Sequence, residues 1–591
     1  MTTHQMPPAP GRSKLALLAT LFVVAACHPS AGAPPETGAG VAARPAAHFP
    51  EGWRFEAGGN ASFARDAMVS SNSELASRAG VEIMERGGNA VDAAVATGFA
   101  LAVTHPSAGN LGGGGFMVIR MADGRTAALD YREIAPLAAT RDMYLDEHGK
   151  LTDKSVIGPL ASGVPGSVAG MTAALAKYGN LSLQEVMAPA IRLARDGFVV
   201  DSALYFSLRS SKEKITRFNG SAVFFPNGEP LQPGARLVQP ALARTLQLIA
   251  DRGPDAFYKG EIADSIAAEM KRDGGIITKE DLANYKPIWR TPIRSTYRGY
   301  SIIAMPPSSS GGITTVETLN ILETYDKLPP FGSAKYDHLV AEAFRRAFVD
   351  RNTKLGDPAF VNVPVAELTS KSYAKELAST IDADESSRTP RFGATAGEPM
   401  HTTHYSVADS KGNAVATTTT INSGYGSGVF IRGAGFFMNN EMDDFSAQPG
   451  HANQFGLVQG EANAIVPGKR MLSAMSPTIV LDKDGKLFLV VGAAGGPTII
   501  TATTQIILNA IDNHMTLADA MRAPRLHHQA WPDTLFFERG GIAPATLDSL
   551  RAMGHHPVTR GSIANANGVM KVDGGFMGLS EPRSSGGAVG Y

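Results

Sequence analysis

Thr402-Thr-His-Tyr-Ser406 follows directly on a polar stretch rich in chain breakers, Ser386 to His401. Strand patterns at His404–Asp409 and Ala414–Ile421 flank Ser410-Lys-Gly-Asn413, a hairpin signal. A threonine set between an exposed linker and a hairpin can act on its own backbone. Its hydroxyl attacks the carbonyl of His401, and hydrolysis of the resulting ester leaves Thr402 with a free α-amine. Such an amine ordinarily titrates at about 7.7–8.0, so near neutral pH it can serve as base for the hydroxyl of the same residue. Read alone, a threonine that opens a hairpin is more often a plain strand residue.

Other catalytic signatures are missing. The sequence has no G-x-S-x-G elbow, no phosphate loop of the G-x-x-x-x-G-K type, no H-E-x-x-H and no paired C-x-x-C. Asp482-Lys-Asp-Gly485 begins like a calcium loop but lacks the remaining ligands, so a hairpin turn is the better reading. The glycines of Gly424-Tyr-Gly-Ser-Gly428 lack a strand-to-helix context, and Gly112–Gly115 reads as a tight packing turn. With 54 basic against 55 acidic residues and no basic block, the chain offers no field for nucleic acid. No ligand cluster suggests a metal, and the threonine chemistry requires no cofactor.

The elements that must hold this chemistry in place alternate between helix and strand. Ser73 to Arg86 reads as a helix that stops at Gly87-Gly88. Asn89 can cap a second, which runs to about Thr104 and is apolar almost all round, as a buried helix is. The turn Gly109–Gly115 then delivers strands Phe116–Arg120 and Thr126–Tyr131. The region from about 165 to 385 is mainly helical by pattern. A hairpin pairs Pro477–Leu481 with Leu487–Gly492, helices follow at about 498–511, 517–523 and 545–553, and a last hairpin turns at Asp573-Gly574. The sum is an α/β protein with antiparallel sheets and outer helices.

The N-terminus reads as an export signal. Arg12 and Lys14 precede an apolar run, Leu15 to Ala26, too short to span a membrane comfortably. It ends at Cys27, the only cysteine, in a lipoprotein-type setting that predicts lipidation there and a periplasmic, membrane-anchored protein. The alternative is an ordinary secretory signal cut near Ala31 or Ala33. Residues 28–54, rich in Pro, Ala and Gly, read as a flexible tether.

Several blocks carry a family resemblance. Thr402-Thr-His-Tyr-Ser-Val407, with Asp409, Gly412-Asn413 and Asn422 after it, resembles the start of the small subunit of gamma-glutamyltransferases. Gly87-Gly-Asn-Ala-Val-Asp-Ala93, Asp130-Tyr-Arg-Glu-Ile-Ala-Pro136, Asn439-Asn-Glu-Met-Asp-Asp-Phe-Ser446, Leu472-Ser-Ala-Met-Ser-Pro-Thr478 and Gly495-Gly496 resemble further family blocks, in order. The resemblance implies a four-layer αββα N-terminal-nucleophile hydrolase. One precursor would be cut between His401 and Thr402 into a large subunit (55–401) and a small one (402–591), which remain together as a heterodimer. Thr402 would attack the γ-carbonyl of glutathione or another γ-glutamyl compound and pass the acyl group to water, an amino acid or a peptide.

The same resemblance implies roles for single residues. Arg132 would hold the glutamyl α-carboxylate; read alone it is a surface arginine at a strand end. Asp444 and Glu441 would take the α-ammonium; read alone they belong to a solvated acidic turn. Gly495 and Gly496 would donate N–H groups to the oxyanion, Thr420 would hydrogen-bond the nucleophile, and Asn422 and Ser473 would contact the glutamyl group. The sequence departs from the family twice. Ala474 stands where a second serine is common, and Phe455 where a tyrosine is frequent, which leaves substrate preference open. One rival is an acylase of the same fold acting on glutaryl-type cephalosporin side chains, and a rival of another class is an exported binding lipoprotein that kept the fold and lost the activity.

Overall fold

Strand Thr402–Asp409 is buried along its whole length in the computed structural model, which describes Met1 and residues 47–218, 220–389 and 402–591. It pairs antiparallel with Ala414–Thr420 on one side and with Ala67–Ser71 on the other. Beyond Ala414–Thr420 the sheet continues through Gly114–Arg120, Thr126–Asp130 and Ile288–Arg290; beyond Ala67–Ser71 it ends at Gly587–Gly590. A second sheet, also antiparallel throughout, runs in the order Ser62–Ala64, Gly575–Ser580, Asn565–Val572, Leu487–Ala494, Thr478–Leu481, Tyr300–Ala304, Ile293–Tyr297. Both sheets therefore interleave strands from before and after position 402.

Side chains alternate across a strand, so the central strand serves two cores. Tyr405 and Val407 join a cluster with helices Glu74–Glu85, Ala90–Thr104, Ser167–Tyr178 and Leu183–Asp196. Ala408, Ala414 and Ala416 face the second sheet, whose far side is covered by helices Gly311–Glu323 and Thr498–Ile511. This is the expected helix–sheet–sheet–helix order. At Gly492 the two sheets meet closely. A Cβ on Gly492 would lie 2.4 Å from the His404 ring. That ring contacts Thr418 Oγ1 at 2.9 Å and Ser406 Oγ at 3.0 Å, and burial pushes its pKa down to about 3, so it is a neutral tie between strands.

Local signals explain the helix starts. The Ser73 side chain accepts from Ala76 N, and Asn89 forms a capping box with Asp92 ahead of a helix in which every residue is buried. The region read as mainly helical also contributes Ile288–Arg290, Ile293–Tyr297 and Tyr300–Ala304 to the two sheets. Each is at most five residues long and separated from the next by only two, too short for alternation to register against the helical surroundings.

Two boundary expectations are corrected. The tether expected over 28–54 is shorter: Phe49 packs on the core, and Trp53 is buried with its Nε1 donating to Arg522 O at 2.9 Å. The linker expected to be exposed from Ser386 is fastened at its start. Ser386 is buried, Ser387 N donates to Glu342 Oε1 at 3.2 Å, and Thr389 N donates to Asp533 Oδ2 at 3.0 Å. Cys27, the rest of the signal, and His401 lie outside the described residues. Among the described residues no helix is long and apolar enough to cross a membrane.

Candidate active site

Hairpin register creates the first contact of the site. Thr402 and Thr420 are directly opposed across the pair of strands, and their hydroxyl oxygens lie 3.2 Å apart. Asn422, held at φ 76° just past the strand end, donates its N–H to Thr420 Oγ1 at 2.7 Å. Thr420 can then send its own hydroxyl proton to Thr402 Oγ1. Asparagine is one of the few side chains that tolerate such a left-handed backbone.

Both threonines open into a narrow pocket, whose walls also include Arg132, Asn422, Glu441, Asp444 and Ser473. Gly496 lines it, while Gly495 sits just behind, where strand Leu487–Ala494 turns into helix Thr498–Ile511. Their φ angles are 140° and 56°, values open to glycine at little cost, and neither N–H donates a hydrogen bond among the described residues. Two unspent amides at a helix N-terminus suit a developing negative charge.

The opposite end of the pocket is ionic. Arg132 follows strand Thr126–Asp130, and Asp130 Oδ1 accepts its N–H at 3.0 Å. Far from being a surface residue, it is fully buried, with Nη1 donating to Glu441 Oε1 and Nη2 to Asp444 Oδ2. Those carboxylates sit on a single 3-10 turn, Glu441–Asp444, and the turn is not solvated. Asn439 Oδ1 accepts Glu441 N at 3.0 Å, and Asn463 Nδ2 donates to Asp444 O at 2.7 Å.

Burial pulls the Arg132 guanidinium down, but Glu441, Asp444 and Glu133 together outweigh that and hold it above the ordinary arginine range. Burial pushes Glu441 and Asp444 up against the pull of Arg132, and Glu133 up to about 8. With Glu133 only 3.7 Å away, three carboxyl groups crowd one cation. Glu441 Oε2 is buried with no hydrogen-bond partner among the described residues. An incoming ammonium would satisfy both the spare oxygen and the charge excess.

Asn422 spans the two ends, its Nδ2 donating to Asn440 O at 3.0 Å and reaching Asp444 Oδ1 at 3.4 Å. Ser473 lines the pocket, its Oγ accepting Met475 N at 3.1 Å. Ala474 and Phe455 also line it, so both departures from the family pattern fall in the site itself. Sequence reasoning missed Arg351, a buried pocket residue on helix Ala334–Lys354. It belongs to no quoted motif, and the only signal for it was an arginine on a mostly buried helix.

Comparison with known proteins follows the same lines. The sequence model described as Gamma-glutamyltranspeptidase matches residues 76–591. The Glutathione hydrolase proenzyme of Escherichia coli (strain K12) is 51% identical over 529 residues, 88% of this chain and 91% of that protein. The Acylase ACY 1 proenzyme of Pseudomonas sp. (strain SE83) is 42% identical over 84% of this chain and 88% of its own length. Among solved structures, the cephalosporin acylase from Bacillus halodurans superposes with a TM-score of 0.81 at 28% identity, covering 92% of this chain and 99% of the other.

Proposed function

Because this chain belongs to the gamma-glutamyltranspeptidase family, we propose that it cleaves itself before Thr402 and then transfers γ-glutamyl groups, to water as a glutathione hydrolase and to amino-acid or peptide acceptors as a transferase. The observation that carries this reading is the distance of 3.2 Å between the Thr402 and Thr420 hydroxyls, at one end of a pocket whose other end holds Arg132, Glu441 and Asp444.

In maturation, Thr402 Oγ1 attacks the His401 carbonyl carbon. The C–N bond to Thr402 breaks, the nitrogen takes the proton, and water hydrolyses the ester. A large subunit then ends at His401, and Thr402 begins a small one that stays bound to it. In turnover, the α-amine accepts the proton of Oγ1 as that oxygen attacks the γ-carbonyl. The oxyanion faces the amides of Gly495 and Gly496. The leaving amine takes the proton back from the Thr402 ammonium, which leaves a γ-glutamyl ester. Water or an acceptor amine, deprotonated by the same α-amine, then cleaves the ester. Arg132 and Ser473 face the donor α-carboxylate; Glu441, Asp444 and Asn422 face its α-ammonium end.

A second reading, glutaryl-type acylase chemistry, draws support from the TM-score of 0.81 to a cephalosporin acylase and from the 42% identity to an acylase proenzyme. Rates on γ-glutamyl- and glutaryl-p-nitroanilide separate the two. Faster release from the glutaryl compound would reverse the order of the readings. A denaturing gel with N-terminal sequencing tests maturation: a small fragment beginning at Thr402 is expected, and a chain that stays whole would count against any threonine chemistry.

The sequence from Arg12 to Cys27 supports export to the periplasm with a lipid anchor at Cys27. Labelled palmitate should enter the wild type and not Cys27→Ser.

A further inference from the structure

Arg351 is a charged pocket group to which the reaction above gives no task. Its side chain is 1% exposed, yet it forms no ion pair with a carboxylate among the described residues. Nε donates to Ser310 Oγ at 3.1 Å, and Nη1 donates to Asn352 Oδ1 at 2.8 Å and to Gln459 Oε1 at 3.4 Å; Nη2 donates to none of the described residues. Burial pulls its pKa down to about 10, and Asp444, whose Oδ2 already accepts from Arg132, offsets that only in part; a buried cation so incompletely compensated is costly.

Its surroundings say which part of a donor it faces. Ser310 Oγ donates to Ser473 O at 2.6 Å, so Arg351 stands behind the loop expected to meet the donor carboxylate. Gln459 Nε2 donates to Asp444 O at 3.2 Å, which ties the same guanidinium to the turn at the ammonium end. Arg132 has both Nη atoms on Glu441 and Asp444. The cation in this pocket whose fork is not committed to carboxylates is therefore Arg351. Its position also answers the loss of a hydroxyl at Ala474, next to Ser473.

We propose that Arg351 is a counter-charge for the donor α-carboxylate, so that the zwitterionic head group meets two guanidinium groups, Arg132 and Arg351, and two carboxylates, Glu441 and Asp444. This rests on the γ-glutamyl reading and extends it. Carboxylate recognition is then shared between two arginines rather than left to Arg132 alone.

Three p-nitroanilides read this directly: γ-glutamyl, with both head-group charges; glutaryl, with the carboxylate only; and 4-aminobutyryl, with the ammonium only. For Arg351→Gln, KM should rise about 10- to 100-fold on the first two, the range of a charge-assisted hydrogen bond, with little change on the third. Equal losses on all three would make Arg351 a structural brace, and no loss on any would remove it from recognition; either result overturns the proposal. If Arg351→Gln fails to cleave itself, Arg351→Lys, which keeps the charge and loses the fork, should show the same ordering with smaller shifts, and parallel shifts there would overturn it equally. A wild type that ignores γ-glutamyl-p-nitroanilide would instead be a failure of the γ-glutamyl reading.

Discussion

At one end of the pocket Thr402, Thr420, Gly495 and Gly496 present hydroxyls and amides fixed by strand register and a strand–helix turn. At the other, Arg132, Glu441, Asp444 and Arg351 present ionisable groups from loops, a 3-10 turn and a long helix. Neutral groups can sit on rigid backbone with their hydrogen bonds partly unspent. Buried ions cannot, because each pays a desolvation cost of several kcal/mol and needs partners on every side. The reacting end is thus local and cheap to build, while the recognising end draws on segments more than 300 residues apart, such as Arg132 and Glu441.

Removing the proposed nucleophile should have the largest effect. Thr402→Ala is expected to stay a single chain on a denaturing gel and to lose about 10⁴-fold or more in kcat/KM; normal processing would mean that the nucleophile lies elsewhere. Next comes the charged end. Asp444→Asn keeps the shape and deletes the anion, so kcat/KM for γ-glutamyl-p-nitroanilide should fall about 10- to 150-fold, as for a lost charge-assisted bond. The glutaryl compound, which has no ammonium, should change little. An equal fall on both would erase the distinction between the two ends.

How much of this was legible in the sequence follows the same division. Ser73, Asn89 and the hairpin at Ser410–Asn413 announce themselves because caps and turns depend on residues a few positions apart. The Thr402–Thr420 contact is nearly as local, since the hairpin fixes which residues oppose. The ion cluster is not local. Glu441-Met-Asp-Asp444 alone describes a solvated turn as well as a buried one, and only its resemblance to known blocks connected it to Arg132. Arg351 escaped even that, because helix pattern says which face is buried but not which buried arginine lacks an anion. The strands between 288 and 304 escaped through brevity.

Smaller substitutions sharpen the comparison. Thr420→Val preserves the β-branched shape and deletes the hydroxyl beside Thr402. It should slow self-cleavage and turnover together by about 10-fold, near the upper end for a neutral hydrogen bond. Slowing of turnover alone, measured against the rate of fragment appearance, would confine Thr420 to the mature enzyme. Ala474→Ser should lower KM for γ-glutamyl donors by about 3-fold without altering kcat. An unchanged KM would show that the position does not reach the head group.

The interleaving of the two sheets gives the break proposed before Thr402 an asymmetric meaning. While folded, the molecule loses no strand pairing when the peptide bond goes, since Thr402–Asp409 remains locked between Ala67–Ser71 of the first piece and Ala414–Thr420 of its own. Once denatured, the two pieces must rebuild both sheets as an encounter between separate molecules. Recovery that is a first-order event for the uncut chain becomes second-order for the cut one, and dilution alone suffices to prevent it.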